Sequence, residues 1–164
     1  MTPAARAAAL VFLLPCAVGC GENNFVGTWR SDRDAMRAET RRLFAEMDQA
    51  SDPSQAIPAH VSDAFADAMA ISLTLEAGDR AVWTFPDADQ LGALLPMLIA
   101  GTPAPSLPQR TVPGSWERTG PHTISVTGED GPEELTFLSD GRLMLTKDLG
   151  GKTMTVFFIK AAGG

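Results

Sequence analysis

Tyrosine is absent from this chain, and cysteine and histidine occur only twice each, as Cys16, Cys20, His60 and His122. Two cysteines cannot build the multi-bridge framework that staples small secreted domains. Two histidines so far apart in sequence give no ligand spacing for a metal site, and they leave little for nucleophilic catalysis, which needs a base held beside a hydroxyl or thiol. Basic residues are also in deficit, with 13 Lys plus Arg against 20 Asp plus Glu, and they form no block. Nucleic acid is bound by clustered cations that displace counterions from phosphates, so that partner is not expected. P-loop, G-x-S-x-G, G-x-G-x-x-G and H-E-x-x-H motifs are missing. The adjacent carboxylates Asp87 with Asp89, Glu129 with Asp130, and Glu133 with Glu134 read as a helix cap and turn flanks. The expectation is a protein that is not an enzyme and uses no metal or cofactor. What remains suffices for a core: 164 residues, 45% of them apolar, bury roughly two-thirds of the unfolded chain's surface without staples.

The apolar run from Ala7 to Leu14 is too short to cross a hydrocarbon layer, which takes about 20 residues of helix. With Arg6 before it and small residues after it, the run reads as a secretory signal. Its end, Ala17-Val18-Gly19-Cys20, resembles the lipobox of bacterial lipoproteins. That resemblance implies a signal peptide over residues 1–19 and a Cys20 that is diacylated and becomes the new N-terminus. A short tether then runs over residues 20–24. It also implies a place in the bacterial cell envelope, held to the membrane by N-terminal lipid. Gly21, standing where Asp would retain such proteins in the inner membrane, favours the outer membrane. Ordinary secretion with cleavage nearby is the alternative.

From Phe25 onward the pattern is mainly that of strands. Apolar and polar residues alternate over about 25–31, 71–77, 80–85, 113–118, 122–127, 133–138, 142–147 and 153–160, with Gly, Asp and Pro turn signals between them. Two segments interrupt the alternation. Residues 32–70 hold two helical stretches. One, over 34–50, carries Met36, Leu43, Phe44 and Met47 on a stripe, with Ser31, Asp32 or Asp34 as its cap. The second carries Val61, Ala64, Phe65, Ala68 and Met69 at helical spacing. Residues 86–112 hold a short helix around Leu91, Leu94 and Leu95, which Pro96 is expected to end, and then a Pro-rich loop. Eight strands is the number that closes an antiparallel up-and-down barrel. A flattened sandwich or half-open sheet satisfies the same alternation.

The opening Gly27-Thr28-Trp29, the near-echo Gly114-Ser115-Trp116 and the closing series of short hairpins resemble the lipocalin-like, calycin-type barrels of small bacterial lipoproteins. The resemblance covers about residues 25–160. It implies that Trp29 plugs a closed end beneath a basic side chain of the last strand, for which Lys160 is the nearest candidate. If strand direction alternates strictly, both long insertions emerge at the rim opposite Trp29. A barrel sealed at one end and elaborated at the other suits a container or a contact face. The first reading is a non-catalytic binding module in which a small apolar or lipid-like ligand lies against Leu43, Phe44, Met47, Phe65 and Met69 of the insertions. The inward residues Leu73, Trp83, Phe137, Leu145, Val156 and Phe158 would complete that site. In the second reading the same residues are core, the barrel is filled, and the protein is a structural, interaction or inhibitor-like module of the envelope.

Overall fold

A computed structural model describes residues 24–48, 57–148 and 150–162. The signal segment and Cys20 lie outside the described residues. Eight strands form one closed antiparallel barrel in which each strand pairs with its neighbours in sequence: β1 Gly27–Ser31, β2 Ser72–Leu75, β3 Arg80–Pro86, β4 Gln109–Arg118, β5 Thr123–Gly128, β6 Gly131–Phe137, β7 Leu143–Asp148 and β8 Thr153–Lys160. The circle closes between β1 and β8, where Trp29 faces Lys160 and Ser31 faces Phe158. Because every pairing is antiparallel, α1 (Arg33–Asp48) and α2 (Ala59–Ala68), between β1 and β2, share one rim with α3 (Ala88–Ile99), between β3 and β4. The tight connections after β2, β4 and β6 form the opposite, closed pole.

The period-two alternation becomes an inside and an outside. Leu73, Ile124, Val126, Leu135, Leu143 and Phe158 have no accessible surface and meet Trp29, Trp83, Trp116, Leu145 and Val156 in one continuous cluster. Burying each such side chain contributes about 1.5–3 kcal/mol. Met36 of α1 and Ala66 of α2 belong to this same cluster, and Met69 packs against it. The first insertion therefore enters the barrel mouth with its own apolar side chains. Val61 of α2 joins Leu94 and Leu98 of α3 in a second cluster above it.

The barrel has an uneven seam, and α1 repairs it. β1 pairs with β8 only as far as Ser31 opposite Phe158, and the Asp32 N–H adds one more bond, to the Phe157 carbonyl at 2.7 Å. Above that level the edge of β8 would leave backbone groups unpaired, which is costly near a core. Glu39 accepts from the Thr155 N–H at 2.7 Å, and Arg42 donates to the Thr153 carbonyl at 2.5 Å. Arg42 and the Thr155 N–H, in that order of strength, hold the Glu39 carboxyl below the usual carboxylate range against the opposing effect of its burial.

Two local expectations are corrected. Pro96 does not end α3, which continues to Ile99. The carbonyl that Pro96 leaves without a donor belongs to Gly92, an exposed residue, and burying Leu98 on α2 favours a further turn. The β4 strand begins at Gln109 rather than 113, because its upper half pairs with Val82–Pro86 of β3 alone. Such an edge position tolerates Pro113. Of the three candidate caps for α1, Asp32 serves: its Oδ1 accepts from the N–H groups of Asp34 and Ala35.

Candidate functional site

Residues of the insertions and of the barrel interior, read as a single lining in the sequence, occupy separate places. Leu73, Trp83, Leu145, Val156 and Phe158 pack on one another inside the barrel, with Trp83 and Phe158 rings 6.0 Å apart. Phe137 lies at the closed pole, edge-on to Trp29 at 6.0 Å and to Phe25 at 5.5 Å. Phe44 and Phe65 meet between α1 and α2 at 5.5 Å, with Leu43 half-buried. Met69 sits against the barrel cluster, and Met47 is exposed.

At the closed pole, Trp29 is 1% exposed and donates its indole N–H to the Phe25 carbonyl at 2.7 Å. The Lys160 ammonium stands 5.5 Å from the centre of its ring, close enough for a cation–π attraction. Arg118 covers the Phe25 ring at 6.0 Å. Gly27 has a φ of +132°, a region that side chains rarely adopt, and a Cβ there would come within 2.9 Å of Lys160 Cε. The Gly of G-x-W is thus required by backbone shape, and the lysine stem fills the space it leaves. Phe25, expected within the first strand, lies just before it and completes this plug.

At the rim, α1 and α2 are clamped by a ladder of charges. Arg33 and Arg37 each grip Asp67 with two bonds of 2.6–2.9 Å, and Arg41 grips Asp63 in the same way. Bonds from Arg33 and then Arg37 hold the Asp67 carboxyl far below the usual carboxylate range, outweighing its partial burial. Stability from that shift is complete above the ordinary carboxylate range and fades only in strong acid. The signal for the ladder was present in sequence: Arg33, Arg37 and Arg41 at spacing four, and Asp63 and Asp67 at the same spacing. The spacing alone does not reveal the pairing, because contact between helices has no local signature. His60 and His122 are both exposed. Among the described residues no group of three or more His, Cys, Asp and Glu is placed to hold a metal ion, and no helix is long and apolar enough to cross a membrane.

Two open hollows lie on the outside. One, of about 330 Å³, separates α2 from the Pro-rich loop and is lined by Ala64, Asp67, Ala68, Ala70, residues 104–107 and Gln109. The other, of about 270 Å³, lies beside Asp79, Ser115, Glu117, Ser125 and Thr127 on the barrel wall. Neither is lined by Leu73, Trp83, Leu145, Val156 or Phe158. Compared with models of known protein families and with curated proteins, the chain matches none. The rim exposes large apolar side chains: Met97 and Ile99 at the end of α3 are 38% and 59% exposed, and Met47 at the end of α1 is 47% exposed. Asp87, Asp89, Glu129 and Asp130 stand on the same rim.

One internal flaw accompanies this cap. Thr40, on the buried stripe of α1 between Met36 and Phe44, is 1% exposed, and its hydroxyl has no hydrogen-bond partner among the described residues. A buried hydroxyl without a partner costs about 1–3 kcal/mol. Thr40→Val keeps the shape and removes the group, so stability is expected to rise by about 1 kcal/mol and the thermal midpoint by about 3 °C. A scanning-calorimetry midpoint that stays or falls would mean that the hydroxyl is satisfied in solution.

Proposed function

We propose that this protein is a lipid-anchored, non-catalytic interaction module of the bacterial cell envelope, with the barrel as its scaffold and the helix-capped rim as its contact face. The observation that carries this reading is the contrast between a barrel whose inward side chains pack on one another and a cap that leaves Met97, Ile99 and Met47 in solvent. Exposed apolar side chains at the ends of α1 and α3, on a rim that also carries Asp87, Asp89, Glu129 and Asp130, fit a protein partner whose apolar surface is bordered by basic residues. The resemblance to lipocalin-like lipoproteins points instead to a small apolar ligand. In a container of that kind such a ligand would have to displace Met36 and Ala66 from the mouth and separate Trp83 from Phe158. Those contacts favour the interaction role.

Native mass spectrometry of the protein purified from its own host separates the two. The expected mass is the processed chain plus its acyl groups, whereas a retained small molecule would support the container. A photo-crosslinking residue at Ile99 is expected to trap one discrete partner in intact cells. The same residue at Ile159, equally apolar but on the outer wall of β8, is expected to trap none. Ile99→Asp with Met97→Asp should abolish capture while leaving the circular dichroism spectrum unchanged. Equal trapping from both positions would overturn the assignment of the rim.

A further inference from the structure

We propose that the barrel stands on the membrane with its closed pole down, which turns the helical cap away from the bilayer and toward the aqueous compartment. The inference rests on the lipid-anchor reading above and adds a direction to it. The chain reaches β1 from the closed pole, where the carbonyl of Asn24 accepts from Lys160 Nζ at 3.2 Å. Three residues lie between Cys20 and Asn24, four Cα-to-Cα steps that reach at most about 14 Å when fully extended. The barrel wall that separates this pole from the rim is longer. The eight residues of β8 rise about 20 Å along the axis once strand tilt is allowed for, and the helices stand above them. An acyl chain on Cys20 therefore holds the closed pole near the lipid surface and excludes the inverted posture, with the cap buried in lipid and the closed pole uppermost.

Charge selects the upright posture over the others. The closed-pole turns and their flanks carry Arg80, Arg118, Arg142 and Lys160 against Glu76, Asp79 and Asp140; Arg80 is paired with Glu76 and Arg142 with Asp140 and Asp32, which leaves Arg118 and Lys160 against Asp79. The rim loops carry Asp87, Asp89, Glu129 and Asp130 against Lys152, and among the described residues Glu129 is the one of these carboxylates in an ion pair, with Arg110. The arginines of the cap are already held by Asp63, Asp67, Glu39 and Glu46. On the wall, Glu117 and Glu134 are exposed. A bilayer with anionic headgroups attracts the first pole and repels the rim and that wall within a Debye length of about 8 Å. The partner of the closed pole is thus a lipid surface, and any partner of the cap must approach from the aqueous side.

The test uses the full chain, processed and acylated by a bacterial host, in vesicles of phosphatidylethanolamine and phosphatidylglycerol. Ser139→Cys, in the β6–β7 turn of the closed pole, and Ala100→Cys, at the rim end of α3, are each labelled with a fluorophore, since acylation occupies Cys20. A quencher fixed at headgroup depth is expected to quench the Ser139→Cys dye several-fold more than the Ala100→Cys dye. Equal quenching, or stronger quenching at the rim, with an acyl mass present on Cys20 overturns the orientation and leaves the anchor intact. A protein without acyl mass that fails to bind vesicles overturns the anchor, and the orientation with it.

Discussion

Trp29→Ala is expected to lower stability by about 4 kcal/mol, the upper part of the range for removing a large aromatic side chain from a well-packed site. Three effects combine. The indole is almost fully buried, so its removal leaves a cavity that Phe25 and Phe137, themselves locked edge to face, can only partly fill. The Phe25 carbonyl loses the indole donor and stays in an apolar setting. Lys160 loses the ring beneath its ammonium. The damage falls where the barrel closes, since Trp29 is the residue of β1 that faces both Leu73 and Lys160. Trp29→Phe, which keeps much of the volume and loses the N–H, should cost about 1–2 kcal/mol. Urea unfolding followed by circular dichroism measures both. A loss below about 1 kcal/mol for Trp29→Ala would falsify the view that this side chain seals the closed pole.

Gly114→Ala is expected to be the next most damaging single change, at about 3 kcal/mol. A Cβ at this position would lie 2.1 Å from the carbonyl oxygen of Thr127, which belongs to the backbone of β5 and cannot swing aside. Gly114 stands where β4 leaves its two-stranded partnership with β3 and begins, at Ser115, to pair with β5. Accommodating one methyl group there means moving the β4–β5 ladder. Gly92→Ala supplies the contrast. The site is exposed within α3, and nothing lies within 4 Å of its added Cβ, so stability should rise by about 0.5–1 kcal/mol. If both substitutions proved equally mild, β4 and β5 would not approach each other so closely in solution.

The fold was legible because alternation is a local signal that a barrel preserves. Each strand read from the sequence lies within a few residues of the observed one, and β8 coincides with it. The largest error, at the start of β4, fell on a segment bounded by Pro108 and Pro113, where loop chemistry and an edge strand look alike. The helices were legible for the same reason. Their apolar stripes were found, but not what the stripes face: Met36 and Ala66 go into the barrel, Val61 goes to α3, and Met47 goes to solvent. A stripe records that a face is buried and carries no record of its partner.

The same division runs through the candidate site. Strand count, the antiparallel order and the shared rim of the two insertions were properties of the sequence alone, because pattern and parity need no knowledge of distance. The packed interior, the Arg–Asp ladder, the repair of the β8 edge by Glu39 and Arg42, and the exposed apolar end of α3 were decided only by tertiary structure. The ladder and the repair depend on groups from 22 to 116 positions apart in sequence, and a contact between distant segments leaves no periodic trace in either of them.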